Sequence, residues 1–286
     1  ERYKQPENKE ELMQMEKDLR ASARPTAEKN RVNSVGKALL IMEAIYQAQR
    51  SLSIKELATE LGMHKSTLHH LVSTLTEFGF LTQDPETRKY NIGLHLVEIG
   101  QAYLQQLDVR SIAHPFLERL AMEVGETAHL LILDRNDVVY IDKVEDLSQP
   151  TALRCSSYIG RRAAAYATAA GKTLLAHLPE ADLRKYLAYQ ELPAKTPYTI
   201  TDPAQLLKEL HRVKKHGFAL DRQENEVGLQ CVAAPIFNQE AKCIAALSVS
   251  GPATRLTMER ITETLLPLVK ETAEQISAAL GYTPGL

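Results

Sequence analysis

The chain has 286 residues, of which 44% are hydrophobic and 24% charged, and its formal net charge is −2. This length allows two domains with separate cores, and the composition is that of a globular protein. No apolar run is long enough to span a membrane, and no secretory signal is visible. The three cysteines lack the spacing of a metal site, and their odd number favours a reducing compartment. We therefore expect a cytoplasmic protein without a bound cofactor.

The first thirty residues and the helix after them differ in character. Residues 1–30 are charged and poor in aromatic side chains, which predicts a flexible N-terminal arm. Ser34–Ile45 has the apolar periodicity of a helix. The side chains expected to pack inward from this helix are Val35, Ala38, Leu39, Met42 and Ile45.

Two short helices are predicted next. Ser53 and Glu56 form a capping box, in which each side chain bonds the backbone N–H of the other residue, so a helix begins here. Gly62 can adopt the left-handed conformation that ends this helix. A second helix is expected to begin near His64. Two helices joined by a tight glycine turn are typical of the helix-turn-helix unit, whose second helix enters the DNA major groove.

The exposed face of the second helix has the side chains that DNA contact requires. No acidic residue occurs between His64 and Thr76, and the first one is Glu77. A cation, hydroxyls and a helix N-terminus bind phosphate, and Ser, Thr and His reach base edges. An ordinary helical hairpin with a polar outer face is the alternative. The candidate DNA-binding residues here are His64, Lys65, Ser66, Thr67, His69 and His70.

A small hairpin follows and favours DNA binding. Two short strands, Gly79–Gln83 and Arg88–Ile92, flank an Asp84-Pro85 turn. Helices followed by a hairpin make a winged helix-turn-helix, predicted over residues 31–92. Arg88 and Lys89 on the wing strand are further candidate DNA contacts. The net charge of residues 30–92 is only +1, which predicts modest affinity per module and a need for dimerisation.

The rest of the chain predicts a linker helix and a second domain. Residues 93–110 form the linker, helical over Gly93–Leu107, and residues 111–282 mix helices and strands as an α+β domain with an antiparallel sheet flanked by helices. The predicted helices are His114–Val124, Ala164–His177, Ala181–Ala188, Pro203–His216 and Thr257–Leu280. The predicted strands are Ala128–Leu133, Val138–Val144, Thr151–Cys155, Phe218–Arg222, Gln230–Phe237 and Cys243–Ser250.

One segment imitates a phosphate-binding loop. Tyr166–Thr173 differs from that pattern at a single position, where Tyr166 replaces the first glycine. The preceding residues 160–165 do not read as a hydrophobic strand, and the alanine-rich segment is a helix former rather than a loop of exposed amides. Helix is therefore preferred, and a small-molecule enzyme or a nucleotide-binding protein with an accessory DNA-binding domain remains an alternative.

Polar groups that suit a small ligand cluster late in the chain. Acidic and amide side chains lie between Asp221 and Gly228, at the end of one predicted strand and the start of the next. Such a loop at a sheet edge can wall a pocket, although it also suits a solvated acidic turn. Ser248 and Ser250 share one face of a later strand. Two alternatives are a thiol enzyme using Cys231 near Glu224, and a metal site formed by His129, Cys155 and Cys231.

The chain resembles the isocitrate lyase regulator (IclR) family of bacterial transcription factors over about residues 31–282. Four groups of matching residues occur in the family's order. The sequence around Gly160–Arg162 is most similar to the branch of the family that regulates sugar-acid catabolism. The four matching groups are Ser34-Val35 with Ala38-Leu39, Lys65-Ser66-Thr67 with Leu71, Gly160 with Thr168–Lys172, and Asp221 with Glu224, Gly228, Cys231 and Ala233–Ile236. Ser248–Pro252 and then Arg255 follow at the distance expected for the family.

The resemblance implies a GAF-like effector-binding domain behind the winged helix. It also implies a homodimer or a tetramer, binding to double-stranded operator DNA, and control by a small molecule such as a sugar acid or another small carboxylate. A repressor of a catabolic operon is the expected function, with no catalytic activity. The positions that match the family's effector pocket are Ala169, Ala170, Asp221, Leu229, Cys231, Ser248 and Ser250.

Overall fold

The computed structural model describes residues 32–146 and 157–283. The chain divides into two compact units between Ala102 and Tyr103. The predicted N-terminal arm and the predicted strand Thr151–Cys155 lie outside the described residues. Within the described ranges, no helix has the length and hydropathy needed to cross a bilayer.

The first unit is a helical domain with a small antiparallel hairpin. Leu81 pairs with Ile92 across the hairpin, and Leu52 bridges to Tyr90, so the chain before the second helix joins the same small sheet. The core of this unit is formed by buried aliphatic side chains from all three of its first helices. The elements in chain order are α1 (Asn33–Ala48), α2 (Ile54–Leu61), α3 (Lys65–Glu77), β1 (Leu81–Gln83), β2 (Tyr90–Ile92) and α4 (His95–Gln105), whose last three residues belong to the second unit.

The capping box that begins α2 is confirmed. Glu56 Oε2 accepts the N–H of Ser53 at 2.8 Å, and Ser53 Oγ accepts the N–H of Glu56 at 3.3 Å. The Ser53 N–H, then the Ser53 hydroxyl and Arg50, lower the pKa of Glu56 to about 2, so its carboxylate stays charged. Gly62 ends the helix in the left-handed conformation with φ 62°. These local contacts set the short turn into α3.

The inward face predicted for α1 is wrong in part. Ile41, Ala44 and Ile45 face the core, whereas Val35 and Leu39 are each 56% exposed. Apolar residues occur on two sides of this helix, so periodicity alone did not decide which side meets α2 and α3. The exposed side is an apolar surface, called here the α1 apolar face, formed by Val32, Val35, Leu39 and Leu40.

The wing strand is shorter than predicted. β2 begins at Tyr90, and Arg88 and Lys89 lie in the preceding turn instead of on the strand. Asp84 holds this turn: its Oδ1 accepts the N–H groups of Glu86 and Thr87. The Thr87 and Glu86 N–H groups lower the pKa of Asp84, which keeps the acceptor charged. Arg88 takes a left-handed φ of 56° to close the turn.

The second unit contains a six-stranded antiparallel sheet in the order β5-β4-β3-β8-β7-β6. A final helix continues through one π-helical turn, Ile261–Leu265. The elements are α5 (Asp108–Val124), β3 (Thr127–Asp134), β4 (Asp137–Val144), β5 (Arg162–Ala164), a 3-10 turn (Ala165–Ala167), α6 (Ala169–Ala176), α7 (Glu180–Tyr189), α8 (Pro203–His216), β6 (Ala219–Arg222), β7 (Leu229–Phe237), β8 (Cys243–Pro252), α9 (Met258–Arg260) and α10 (Leu266–Ala279).

Helices cover both faces of this sheet. Leu130, Leu247 and Val249 point to the face covered by α5 and α10, and form the larger core there. Their strand neighbours point to the opposite face, where α6, α7 and α8 pack. Because side chains alternate along a strand, Ser248 and Ser250 lie on the α6 side. This arrangement places polar strand residues beneath the start of α6.

Two predicted helix boundaries are wrong. The linker helix predicted over Gly93–Leu107 ends at Gln105, and Leu107 is extended with φ −86° and ψ 92°. The next helix begins at Asp108 and not at His114, because Pro115 lies inside α5 instead of opening it. Proline is common in a first helical turn, which made residue 114 a plausible start.

The helix predicted over Ala164–His177 is also shorter. The structure has the edge strand β5 and a 3-10 turn before α6, so the predicted start of the helix at Ala164 is wrong. β5 is a short edge strand with no fully buried side chain, and not the hydrophobic strand of a phosphate-binding loop. Thr168 is extended with φ −111° and ψ 151°, and its Oγ1 accepts the Gly171 N–H at 3.1 Å as an N-cap. Alanine favours helix locally, but this cap and the pairing of β5 with β4 override that preference.

Candidate DNA-binding surface and effector pocket

The six residues predicted to contact DNA lie together at the N-terminal end of α3. His64 is the N-cap residue, and Thr67 is half-buried. The remaining side chains, Lys65, Ser66, His69 and His70, are exposed. The first turn has no acidic residue, so nothing there repels phosphate. Buried Leu68, Val72 and Leu75 hold the opposite face of the helix in the core.

The two basic residues of the wing are placed differently. Arg88 is exposed in the wing turn, with its backbone fixed by bonds to Asp84 and Gln83. Lys89 is half-buried, and its Nζ lies 4.0 Å from Glu56 Oε2. Glu56 also pairs with Arg50 at 2.7 Å. Arg88 is therefore the basic side chain of the wing that is more accessible to a phosphate. Lys89 partly neutralises the Glu56 carboxylate in the capping box of α2.

The structure brings all seven predicted effector residues around one cavity. The cavity lies on the α6 side of the sheet, between the start of α6 and strands β3, β4, β6, β7 and β8. Four further residues complete its wall: Leu131, Tyr140, Thr168 and Asn225. The predicted residues that line it are Ala169, Ala170, Asp221, Leu229, Cys231, Ser248 and Ser250.

The space inside this pocket is small. Its volume of about 20 Å³ accommodates roughly one water molecule. An organic ligand is larger than this space, so it could enter only if part of the wall moved. The alanines at positions 169 and 170 keep side chains away from the first turn of α6, so its backbone forms part of the wall.

A neutral histidine, His129, lies beside the hydroxyls of Ser157 and Ser250. His129 Nε2 lies 2.7 Å from Ser157 Oγ, and its Nδ1 lies 3.4 Å from Ser250 Oγ. Burial, and secondarily the charge of Lys143, lowers the pKa of His129 to about 3. A neutral imidazole carries one N–H and one acceptor nitrogen. His129 therefore orients the hydroxyls of Ser157 and Ser250 without adding charge to the pocket.

Asp221 is the acidic group of the pocket. It is 1% exposed, and its Oδ1 accepts the N–H of Glu224 at 2.7 Å. Burial raises the pKa of Asp221 to about 7, although the backbone N–H of Glu224 and the charge of Lys172 act in the opposite direction. The Cys231 Sγ lies 4.0 Å from Asp221 Oδ2. Near neutral pH this carboxyl can thus either donate or accept a hydrogen bond.

Two family models match the chain on these two units. One describes the IclR helix-turn-helix domain and matches residues 34–85. The other describes the bacterial transcriptional regulator IclR C-terminal domain and matches residues 101–278.

The chain belongs to the IclR family.

Named relatives agree with this assignment. The transcriptional regulator XynR of Escherichia coli is 38% identical over 255 residues, covering 88% of this chain and 98% of XynR. The transcriptional repressor IclR of the same organism is 34% identical over 252 residues, covering 87% of this chain and 90% of the repressor. The crystal structure of the Thermotoga maritima IclR matches with a TM-score of 0.72 and 38% identity, covering 88% and 100% of the two chains.

Membership of the IclR family confirms the α+β fold, with an N-terminal helix-turn-helix domain and a C-terminal domain of antiparallel sheet and helices. It also confirms the prediction of a DNA-binding transcriptional regulator instead of an enzyme, because the relatives are regulators and repressors. The C-terminal domain is the ligand-binding part of this regulator.

The segment that imitates a phosphate-binding loop has a structural role. Lys172 is 1% exposed and its Nζ bonds Glu224 Oε1 at 2.5 Å, so the ammonium does not face solvent. Thr173 Oγ1 donates to the Ala169 carbonyl. A Cβ at Gly171 would lie 2.2 Å from the Ala165 carbonyl oxygen, so glycine permits α6 to pack against the preceding turn. These contacts contradict the nucleotide-binding alternative.

The metal alternative is not supported by the described residues. Cys155 lies outside them, and among the residues that are described no three His, Cys, Asp or Glu side chains converge on one point. His129 faces Ser157 and Ser250, while Cys231 lies beside Asp221.

Sequence reasoning missed Tyr140, Thr168, Asn225 and Leu131 as pocket residues. Tyr140 and Leu131 read as ordinary strand residues, and only the pairing of β3 with β4 and β8 brings them to the pocket. Asn225 lies inside the polar Asp221–Gly228 segment, which was the available signal. Thr168 was hidden because the helix was predicted to begin four residues earlier.

Proposed function

We propose that this IclR-family regulator represses a catabolic operon and releases its operator when a small hydroxylated carboxylate binds the effector pocket. The observation that carries the effector class is the chemistry of the pocket wall. The start of α6 faces Ser248, Ser250 and Asp221 across one cavity. Backbone N–H groups at a helix start favour an anion, whereas a buried aspartate favours ligand hydroxyls.

The two ends of such an effector would occupy different parts of the pocket. Its carboxylate suits the first turn of α6, where Ala169 and Ala170 leave the backbone accessible. Its hydroxyls suit Ser248, Ser250 and Asp221, which offer donors and acceptors. A sugar acid carries both kinds of group. The same chemistry agrees with the sequence resemblance to the sugar-acid branch.

We propose residues 31–92 as the DNA-binding domain, residues 93–110 as the linker and residues 111–282 as the effector-binding domain. The residues proposed for DNA contact are those at the start of α3, together with Arg88 and, less directly, Lys89. Their presentation on one exposed helix end supports this role. The protein would act in the cytoplasm, where its operator DNA is.

Dimerisation is proposed because one module carries little positive charge. Two copies double the phosphate contacts and read the two halves of an inverted repeat. The α1 apolar face supports this proposal, since Val32, Val35, Leu39 and Leu40 are all more than half exposed. Leu94 and Val97 add exposed apolar surface near α4. A homodimer, or a tetramer made of two such dimers, would cover these side chains.

The DNA-binding role proposed for α3 is tested by Lys65→Ala. We expect operator affinity to fall about tenfold, which is near 1.4 kcal/mol, because each copy in the dimer loses a phosphate contact. The slope of log affinity against log salt should also become shallower by about 1 per lost contact. Affinity and slope are measured by fluorescence anisotropy on the upstream region of the gene at several salt concentrations.

Lys208→Ala is the matched control, because Lys208 is an exposed lysine on α8 in the other unit. It should leave affinity and salt slope unchanged. Equal losses in both variants would contradict a specific role for α3. An absence of any operator binding by the wild type at low salt would contradict the proposed function as a whole.

The effector class is tested by a thermal-shift screen of sugar acids, keto acids and aromatic acids. A ligand at 100 times its Kd stabilises the folded protein by about 2.7 kcal/mol, so the right class raises the Tm by several degrees. The Ser248→Ala variant should show a smaller shift with a hydroxylated acid, since it loses one hydroxyl contact. A screen in which only ligands without a carboxylate raise the Tm would contradict the proposed class.

A further inference from the structure

A second, larger cavity lies at the other end of α6 and β7 from the effector pocket. Its volume is about 540 Å³, against about 20 Å³ for the effector pocket. It is lined by the end of α6 at His177, the end of α8, the second half of β7 and one side of α10. None of its lining residues belongs to the effector pocket. At about 3.3 Å per residue, Phe237 lies roughly 20 Å along β7 from Cys231.

The cavity exists because the edge strand β6 is shorter than its neighbour. β6 pairs with β7 only from Gln230 to Ala233, so β7 continues from Ala234 to Phe237 beyond the strand that covers it. The chain reaches β6 from α8 through Gly217, which has a left-handed φ of 73°. The space beside this uncovered part of β7 is then bounded by α10.

The charge of the cavity wall is strongly positive. Lys214 and Lys215 from α8 and Lys270 from α10 line it, and among the described residues the single carboxylate in the lining is that of Glu274. Lys270 Nζ lies 3.4 Å from the His216 carbonyl oxygen, close to the last turn of α8. Lys214 and Lys215 complement the carbonyls at the end of α8, but Lys270 comes from the middle of another helix. Cations from two helices therefore converge on one cavity.

An aromatic and apolar surface faces these cations. The rings of Phe237 and Tyr282 stack with their centroids 5.1 Å apart, and the His177 ring meets Phe237 edge-on at 5.3 Å. Burial, opposed by a bond to the Thr173 carbonyl and assisted by the charge of Lys214, lowers the pKa of His177. The imidazole is thus neutral near pH 7 and belongs to the apolar side of the cavity. Pro235 and Ala273 extend that side.

We propose that this cavity is a second ligand site, for an organic anion with a flat apolar body. The ammonium groups of Lys214, Lys215 and Lys270 bind the anionic group, and the body packs against Phe237, Tyr282 and Pro235. A small inorganic anion offers no apolar surface to that wall, and a neutral aromatic leaves the lysines without a counter-charge. Binding therefore needs both parts in one molecule. The site is independent of the effector pocket and of the effector class proposed for it.

The test uses 2-naphthoate as the probe on the full-length protein, with isothermal titration calorimetry as the readout. We expect 2-naphthoate to bind one site per chain, and 2-naphthamide and inorganic phosphate to bind at least tenfold more weakly. Lys270→Met should weaken naphthoate at least fivefold, and so should Lys214→Met. Both lysines are partly or fully exposed, so these variants retain the fold.

Two control variants distinguish binding in this cavity from binding elsewhere on the protein. Lys208→Met changes an exposed lysine of α8 that does not line the cavity, and it should leave naphthoate affinity unchanged. Ser248→Ala alters the effector pocket only, and it should also have no effect. The proposal is overturned if naphthoate fails to bind at millimolar concentration, if the amide binds equally well, or if Ser248→Ala weakens naphthoate while Lys270→Met does not.

Discussion

Replacing Lys172 with methionine should lower the free energy of unfolding by about 3–5 kcal/mol, because the Glu224 carboxylate is left buried without its counter-charge. Lys172 Nζ bonds Glu224 Oε1 directly, and both side chains are almost wholly inaccessible to solvent. The second oxygen, Glu224 Oε2, has no hydrogen-bond partner among the described residues. The ammonium of Lys172 is therefore the main group that offsets the desolvation of this carboxylate.

A double-mutant cycle isolates the pair. Glu224→Leu alone should destabilise the protein by a similar amount, since it strands the Lys172 ammonium. The double variant Lys172→Met/Glu224→Leu should recover most of the loss, because apolar residues of similar volume often replace a buried ion pair at little cost. Urea unfolding followed by circular dichroism gives the four free energies.

An exposed ion pair of the same domain supplies the control. Arg184 and Glu180 pair at 3.0 Å one helical turn apart on α7, and both side chains are more than half exposed. Arg184→Met should cost no more than about 0.5 kcal/mol. A loss below about 1 kcal/mol for Lys172→Met, with no coupling to Glu224→Leu, would show that water reaches the pair.

This pair also explains why the phosphate-loop pattern misleads. The Gly-Lys-Thr order is shared with nucleotide-binding loops, but here Gly171 allows close packing against Ala165 and Thr173 bonds the Ala169 carbonyl. Lys172 joins α6 to the loop after β6 through Glu224. Thr199 Oγ1 donates to the Glu224 carbonyl at 2.6 Å, so the loop is held from a second side. The Lys172–Glu224 bond thus fixes the loop that follows β6 and carries Asn225 into the pocket beside Asp221.

The parts of the site that sequence predicted well depend on local patterns. The capping box at Ser53, the turn at Gly62 and the polar start of α3 each involve residues within a few positions of one another. The alternation of Ser248 and Ser250 placed both hydroxyls on one face of a strand. The pocket set as a whole came from the resemblance to the IclR family, and the structure places all its members around one cavity.

The parts that sequence missed depend on contacts between distant segments. Whether Val35 or Ile41 of α1 faces the core is decided by α2 and α3, and not by the spacing within α1. Residues Arg162–Ala164 become a strand because β4 offers a free edge. The second cavity arises from the difference in length between β6 and β7, which no local pattern encodes.

Asp221→Asn should make the protein more stable than the wild type at pH 8 and remove a pH dependence from its unfolding. The pKa of Asp221 is about 7 in the folded protein, against an ordinary value of 3.8. The folded state therefore holds a proton that the unfolded state releases between these values, so wild-type stability falls as pH rises from about 4 to 7. A shift of this size corresponds to a loss of at most about 4 kcal/mol. Asparagine does not titrate, and its amide oxygen can still accept the Glu224 N–H.

The same proton should control effector affinity at the proposed site. Below pH 7 the neutral carboxyl should donate a hydrogen bond to the ligand, whereas above pH 7 its charge should oppose an anionic ligand, so wild-type effector affinity should fall as the pH rises through 7. The free energy of unfolding and the effector Kd are measured for both proteins between pH 5 and pH 8.5. Asp182→Asn, which changes an exposed aspartate of α7, should leave the wild-type pH profile intact. If the Asp221→Asn and wild-type stability curves run parallel over this range, the Asp221 carboxyl is already ionised at pH 5, and its charge cannot gate the ligand.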